Sequence, residues 1–380
     1  MQYAIRSLAG YPMHIWWLDP FHGGSHAAVA SGYAAHSTHR VTLITLSQAG
    51  GWRWRMRGGA VTLARQVAER HDTPDLIVTT DMLDVAVFRT LTQRQLGHVP
   101  LAVYFHENQL TYPMPPSRKR DYTFAWINFT SALVADAVIF NSAFHRRDFL
   151  TALPAMLRRY HDYHELQTVE QIAAKAQVLP PGLDLPPLPP RPLRNPAAPP
   201  VILWNARWEY DKQPQVVMAA LEYLAAQGID FRLIVTGEHI DPTMPDLVAA
   251  RERWQAQTIH WSYAANRAAY LQLLQQADIV VSAAIQEYFG IAIVEAMACG
   301  CIPLLPARLN YPDLIPPAWQ GDCLYATDDD LPAALARLIA KLPELRQRDW
   351  PALAAPYRWE TLAPRYDAVL GEICAGKGLS

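Results

Sequence analysis

The stretch PPGLDLPPLPPRPLRNPAAPP, residues 180–200, holds ten prolines in 21 residues. Proline fixes φ and removes a backbone donor, so neither a helix interior nor a central strand runs through such a segment. It reads as an extended connection between two folding units. A chain of 380 residues with 51% hydrophobic composition is also longer than one ordinary core needs. Both sides of the prolines repeat one pattern, in which short apolar runs alternate with helix-length spacers. The runs before it are HIWWLD (14–19), VTLITL (41–46), DLIVTT (75–80), LAVYFH (101–106), AVIF (137–140) and QVL (177–179). Those after it are VILWNA (201–206), FRLIVTG (231–237), IHWSY (259–263), DIVVSA (278–283) and CIPLL (301–305). This is the mark of parallel βαβ units with right-handed crossovers. The expected fold is α/β, with two doubly wound Rossmann-like domains facing an interdomain cleft. The boundaries read as a first domain over 1–185, a linker over 186–199, a second domain over 200–355, and a C-terminal helix over 356–380 that packs back on the first domain.

The net charge of −2 rules out polyanion binding by bulk charge alone. The charge is uneven, however. Residues 1–190 carry 17 Lys and Arg against 14 Asp and Glu, and the remainder carries 16 against 21. Eleven of the 13 histidines also lie in the first half, so the two halves are expected to handle different ligands. Cys299, Cys301, Cys323 and Cys374 form no C-x-x-C pair and read as buried thiols in a reducing, cytoplasmic setting. No apolar run is long enough to span a bilayer. The opening MQYAIRSLAGYPM lacks a secretory core segment, and residues 1–13 read as a loose leader or an upstream start codon chosen in error.

In doubly wound sheets, ligands bind beyond the carboxyl ends of the strands. The first run is followed by LDPFHGGSH (18–26). Gly23 and Gly24 allow close backbone approach, and Ser25 is placed to cap the next helix, whose amides favour an anion; a plain tight turn fits equally well. VILWNA leads into Arg207, with Lys212 five residues on. Two cations there suit a diphosphate, though a surface pairing with Glu209 and Asp211 is as good a reading. Gly237-Glu238 closes the next run. Trp261 and Tyr263 offer flat faces for a base, or ordinary packing. Glu287 and Glu295 have seven residues between them in IQEYFGIAIVEAMACG, with Phe289 and Gly290 opening a helix. Helix-start amides hold phosphate oxygens, and the two acids could bind sugar and ribose hydroxyls. A paired buried carboxylate would explain one of these acids more readily than both.

The run LAVYF stops at His106, Glu107 and Asn108. Three polar side chains at a sheet mouth must find partners or ligands. In GWRWRMRGG (51–59), Trp52, Arg53, Trp54, Arg55 and Arg57 interleave aromatic and basic groups, and Arg118, Lys119 and Arg120 add charge. Arg beside Trp suits unpaired bases and phosphates, and a solvated loop fits too. The alternation reads as non-helical.

R-x4-K, E-x7-E with its FG, and the glycine turn together resemble retaining GT-B glycosyltransferases of the family-4 type. DPFHGGSH, GWRWRMRGGA, YFHENQLTYP, LVADAVIFNSAFHRRDFL, RWEYDK, EYFGIAIVEA and LNYPDLIP further resemble the tRNA-queuosine α-mannosyltransferase family, over nearly the whole chain and in the same order. That resemblance implies transfer of mannose from GDP-mannose to the cyclopentene-diol of queuosine in the anticodon loop of tRNA(Asp). It makes the first domain the acceptor side and the second the donor side. Catalytic roles are implied for His106, Glu287, Arg207 and Lys212. Donor contacts are implied for Gly23, Gly24, Gly237, Glu238, Tyr263, Phe289, Gly290 and Glu295 with the two cations. The acceptor side draws on His22, Ser25, His26, the Trp52–Arg57 stretch, Glu107, Asn108 and residues 118–120. The implied mechanism is front-face substitution with retention, in which the leaving phosphate takes the incoming hydroxyl's proton. The resemblance implies no cofactor and no metal. A saccharide, lipid or small-metabolite acceptor is the alternative, marked by an amphipathic basic helix or apolar slot near 52–58. A non-catalytic RNA-binding protein on this scaffold is the second alternative. The residues alone leave guanine against uracil, the sugar and the oligomeric state open.

Overall fold

The computed structural model describes residues 12–376, apart from 116, 118, 187–190, 192–194, 196–197 and 239–244. The chain divides into two compact units, one of Met1–Asp184 with Tyr357–Ser380 and one of Leu185–Pro356. Most of the leader expected over residues 1–13 lies outside the described residues. Met13, at its end, is buried in the first unit's core.

The first unit holds six parallel strands: β1 (His14–His22), β2 (Arg40–Ser47), β3 (Leu76–Thr80), β4 (Leu101–Phe105), β5 (Ala137–Phe140) and β6 (Ala176–Val178), in the order β2-β1-β3-β4-β5-β6. The second holds β7 (Val201–Asn205), β8 (Arg232–Thr236), β9 (Thr258–Trp261), β10 (Ile279–Val281), β11 (Ile302–Pro306) and β12 (Leu324–Tyr325), in the order β12-β11-β10-β7-β8-β9. Strands β3, β4 and β5 are buried at every residue, which is why they read as continuous apolar runs rather than alternating ones. The two-residue β12 is too short to leave a pattern in the sequence. β1 runs past Asp19 to His22, with an irregular register between those residues, so DPFH belongs to the strand and not to the turn.

Residues 51–59 depart from the reading above. They open the helix Trp52–Ala68. The Trp/Arg alternation masked a second pattern, in which Met56, Gly59, Ala60, Leu63, Ala64 and Val67 share a buried face at helical spacing. Gly58-Gly59 disfavours a helix by propensity. Packing overrides it, because a Cβ on Gly59 would lie 3.0 Å from the Pro20 side chain of β1. Ser25 does not cap its helix either. The helix Gly24–His36 starts one residue earlier, with Gly23 as its cap and no side-chain bond.

The helix Trp359–Cys374 belongs to the first unit. Trp359, Leu362, Tyr366 and Leu370 join Trp17, Tyr33 and Tyr104 in one buried cluster. The Trp359 indole lies where Cβ atoms on Gly32 and Gly182 would stand, so glycine at both positions makes room for it. Asp367 accepts from Tyr33 Oη at 2.8 Å, Ser37 Oγ at 2.6 Å and Thr38 Oγ1 at 2.7 Å. In the second unit, Arg191 of the proline-rich stretch donates to the Gly300 carbonyl at 2.5 Å. Among the described residues no helix is long and apolar enough to cross a membrane.

Trp359→Ala should lower stability by about 3–5 kcal/mol, the usual cost of emptying a buried indole site. Urea titration of the purified chain measures this. A loss below about 1 kcal/mol would show that the last helix is not an integral wall of the first unit.

Candidate active site

In the first sheet the strand order reverses between β1 and β3, and the crevice outside the carboxyl ends at such a point is where doubly wound sheets take ligands. Asp19 and His22 stand at the end of β1, Asp81 follows β3 directly, and His106 follows β4. Asp19 is fully buried. Its Oδ2 lies 3.0 Å from His22 Nδ1, and its Oδ1 accepts the Phe21 amide at 3.0 Å. His26 Nδ1 lies 3.6 Å from the same Oδ1, an ion-pair rather than a hydrogen-bond distance. Burial would raise the Asp19 pKa, but His22 and His26 overcome it and hold the carboxyl well below the usual range. Burial likewise opposes charge on His26, yet Asp19, with Asp81 and Glu107 behind it, raises the pKa.

The His26 and His106 rings stack, with centroids 3.9 Å apart and planes 25° apart. Burial, then the neighbouring His26 charge, lowers the His106 pKa well below its ordinary value, so His106 is neutral. Its main chain is fixed from both sides. Its amide donates to Asp81 Oδ1 at 2.8 Å, and its carbonyl accepts from Asn141 Nδ2 at 2.8 Å. Its Nε2 is buried and has no hydrogen-bond partner among the described residues. Burial pushes the Asp81 carboxyl up to about 7, with His26 opposing and Glu107 adding to the shift.

The rest of the HENQ turn supports His106 rather than joining it. Asn108 is fully buried, and its Oδ1 accepts from the amides of Leu110 and Thr111 at 3.0 and 3.1 Å, so it shapes the turn and is not open to an acceptor. Gln109 Nε2 donates to Glu107 Oε1 at 2.9 Å, and Arg120 clamps the carbonyls of Gln109 and Tyr112 at 2.6 Å each. Arg120 is therefore a brace, Lys119 is exposed, and Arg118 lies outside the described residues. Arg55 is also a brace, donating to the carbonyls of Ser47 and Ala49 at 2.8 and 2.6 Å. Arg53 lies over Trp52, and Arg57 over Phe124 with Asp121 at 2.9 Å; both arginines are exposed, as is Trp54. The helix Trp52–Ala68 thus presents Arg53, Trp54 and Arg57 to solvent.

In the second sheet the order reverses between β10 and β7. Arg207 follows β7 and is half exposed, 3.1 Å from Glu209. Lys212 is buried, with Nζ 2.8 Å from the Gln286 carbonyl, 3.0 Å from Asp211 and 3.4 Å from Glu287. Burial opposes its charge, but Glu287 and Asp211 outweigh it and raise the pKa. Glu287 also accepts the Gly290 amide at 3.1 Å, at the start of the helix Ile291–Ala298. Gly290 has φ +99°, a backbone that favours glycine. Phe289 beside it is buried. Glu295 is buried and already engaged, with Arg267 at 2.6 Å and Tyr270 Oη donating at 2.8 Å. At Gly237 a Cβ would strike the Ala206 carbonyl, so its glycine serves the neighbouring strand end rather than a ligand. Glu238 and Tyr263 are exposed; Trp261 is buried against Trp208 and offers no open face.

Sequence reasoning missed Asp19, Asp81, Arg267 and Tyr270, while the pairing it offered for Arg207 and Lys212 with Glu209 and Asp211 is present. The first two had a signal, since each is an acid at the carboxyl end of an apolar run. Arg267 and Tyr270 lie on an ordinary helix, Arg267–Gln276, and reach Glu295 only through folding.

Residues 14–183 match the family described as tRNA-queuosine alpha-mannosyltransferase N-terminal, and residues 190–349 match Glycosyl transferases group 1. The chain is 30% identical over 346 residues to tRNA-queuosine alpha-mannosyltransferase of Drosophila melanogaster, covering 88% of this chain and 90% of that protein. It is 29% identical over 171 residues to GDP-mannose:cellobiosyl-diphosphopolyprenol alpha-mannosyltransferase of Xanthomonas campestris, covering 43% of this chain and 45% of that one. The catalytic domain of starch synthase IV from Arabidopsis thaliana, bound to ADP and acarbose, aligns with a TM-score of 0.73 at 12% identity over 96% of this chain and 100% of that one. The two sheets, with these likenesses, make the fold GT-B.

Asp81 generates a stability prediction. A carboxyl with a raised folded pKa favours the protonated folded state, so its contribution to stability falls as pH rises from about 4 to about 7. Asp81→Asn keeps an oxygen for the His106 amide and removes the titration. The variant should exceed wild type in stability above pH 7 by ~1 kcal/mol or more, with the gap closing toward pH 4. Denaturant titration across pH tests this, and a pH-independent difference would contradict it.

Proposed function

This chain belongs to the tRNA-queuosine alpha-mannosyltransferase family, and from that premise we propose that it transfers mannose from GDP-mannose to the cyclopentene-diol of queuosine in tRNA(Asp). The observation that carries this reading is the relative from Drosophila melanogaster, whose likeness covers 88% of this chain and so extends through both units. The Xanthomonas campestris relative supports GDP-mannose as the donor.

In this reading the second unit takes the donor. Arg207, half exposed at the end of β7, faces the diphosphate, and Lys212 adds its charge. Lys212 is shared with Asp211 and Glu287, so Arg207 is the more available of the two cations. Together they stabilise the charge that develops on the leaving phosphate. Glu287, fixed by Lys212 and the Gly290 amide, binds mannose hydroxyls, and Glu295 binds the ribose. Exposed Tyr263 gives the base a face. The first unit supplies His106, whose buried, unpartnered Nε2 meets the mannose. Arg53, Trp54 and Arg57 meet the anticodon loop, where stacking and phosphate contact serve an unpaired strand.

The helix Trp52–Ala68 is also the amphipathic basic helix that a lipid acceptor would ask for. Its apolar face, however, is already packed in the first unit's core through Met56, Leu63 and Val67, so it has no free stripe to lay into a bilayer. That packing favours RNA over lipid.

The test mixes the purified protein with queuosine-containing tRNA(Asp) and GDP-mannose, UDP-glucose or UDP-galactose, followed by digestion and nucleoside mass spectrometry. One hexose gained with GDP-mannose alone is the expected result; a product with another donor, or none, overturns the reading. Glu295→Ala should weaken GDP-mannose binding about tenfold in calorimetry, while His106→Ala should chiefly lower kcat. Arg53→Ala with Arg57→Ala should reduce the salt dependence of tRNA binding by a slope of roughly 1.5 and leave donor binding intact.

A further inference from the structure

We propose that a surface strip, running from Arg53 across the start of the helix Tyr122–Val134 to Arg159 and Tyr160, binds an unpaired RNA strand; this rests on the reading of tRNA as the acceptor. The strip lies wholly within the first unit. It carries the contact made by Arg53, Trp54 and Arg57 onto a second helix, and beyond it to a further cation and two further exposed rings.

The start of the helix Tyr122–Val134 stands between two arginines. Tyr122 and Phe124 are two residues apart, so they point to opposite sides of the helix. On the Phe124 side, Trp52 meets the ring with centroids 4.9 Å apart, and Arg57 lies over it at 4.9 Å. On the Tyr122 side, Arg159 lies over the ring at 4.0 Å. Asp121 and Thr123 are exposed on the crest between them. Two guanidiniums across one helix stand on the order of 10 Å apart, more than one phosphate can bridge. One turn further on, Trp126 meets Tyr160 edge to face, with centroids 5.4 Å apart.

Stacking on a ring holds a guanidinium flat and leaves its N–H edge for phosphate oxygens. Among the described residues, neither the Arg53 nor the Arg159 guanidinium makes a hydrogen bond. Arg57 shares Asp121 at 2.9 Å, but that pair is exposed and a phosphate can compete for it. Asp121 itself is occupied as a cap, accepting the Thr123 amide at 3.0 Å. Trp54, Trp126 and Tyr160 are 51%, 39% and 51% exposed, so each leaves ring surface open to a partner. Residues 52–57, 121–126 and 158–162 together hold five arginines against two aspartates, in a chain of net charge −2. The interleaving decides the partner. Rings alone would fit an apolar protein face, and arginines alone any polyanion; the two alternating along one path match the bases and phosphates of a single strand. An A-form duplex keeps its base faces stacked inside, so it offers nothing to the rings.

The experiment follows binding of labelled queuosine-containing tRNA(Asp) by fluorescence anisotropy across salt, for wild type, Arg159→Ala, Tyr160→Ala and Trp126→Ala. Arg159→Ala should lower the salt slope by roughly 0.7, and by the same amount again when added to Arg53→Ala with Arg57→Ala. Tyr160→Ala should weaken tRNA binding about tenfold, with the KM for tRNA rising in step and GDP-mannose binding unchanged in calorimetry. An unstructured oligouridylate should lose affinity for Tyr160→Ala by a similar factor, whereas a blunt RNA duplex should bind wild type and Tyr160→Ala equally. If Trp126→Ala loosens its helix, the exposed changes at 159 and 160 decide the matter. Wild-type affinity and slope in both of those variants overturn the inference and leave the strip to a protein partner. Equal losses on duplex and single strand overturn it as well. If wild type binds no tRNA, the acceptor reading falls and the inference with it. If wild type binds and mannosylates the tRNA while the variants match it, the inference alone falls.

Discussion

A parallel strand covered on both faces has only its ends for polar chemistry, and both units obey this limit. β3, β4 and β5 bury every residue and carry no charged side chain, so the first charged groups appear where the strands stop. Asp81 and His106 are therefore placed by the core itself. Each is the first residue after an apolar run, and the registers of β1, β3 and β4 bring their ends together with Asp19. The second sheet repeats the logic with Arg207 after β7. Lys212 there meets the Gln286 carbonyl and the Glu287 side chain, whose other oxygen accepts the Gly290 amide.

The charges at the first mouth form a graded set. Asp19 is held toward its ionised form by its histidines, Asp19 raises the His26 pKa in turn, and burial, with the neighbouring His26 charge behind it, pushes His106 toward its neutral form. Asp81, further from compensation, is driven toward its protonated form. Four ionisable groups within one crevice thus take different states at one pH, because each sees its neighbour rather than bulk water. The arrangement at the second mouth is tighter. Lys212 with Asp211 and Glu287, and Arg267 with Glu295, are closed pairs, and an incoming anionic ligand must compete with or reorder them.

The strands other than β12 and the two doubly wound sheets were legible because parallel strands write themselves as apolar runs. The placing of His106, Arg207 and Glu287 beside strand or helix ends was legible from the apolar runs, and that of Glu295 inside the helix that follows from its spacing. The roles of Asn108, Arg55 and Arg120 were not, because a polar side chain that bonds nearby carbonyls or amides has the same letter as one that meets a ligand. Helix Trp52–Ala68 was misread because its exposed residues carried the louder pattern and its glycines argued against it. Arg267 and Tyr270 left no trace in the sequence, since their partner Glu295 lies more than twenty residues away.

The first unit closes on itself late. The amide of Leu183 donates to the Tyr357 carbonyl at 2.7 Å, and Leu183 bridges Arg358, so the outgoing and returning chain are joined side by side. Everything from Leu185 to Pro356 is thus inserted between two hydrogen-bonded neighbours. On a ribosome, which delivers the chain from its N-terminus, the cluster of Trp17, Tyr33 and Tyr104 waits for Trp359, Leu362 and Tyr366 until the whole inserted unit has been made. The inserted unit has all its strands earlier, so it can reach its native form while the unit that precedes it in sequence still lacks a wall. A truncated product that stops before Trp359 consequently presents an open aromatic surface to quality control, although its six N-terminal strands are all present.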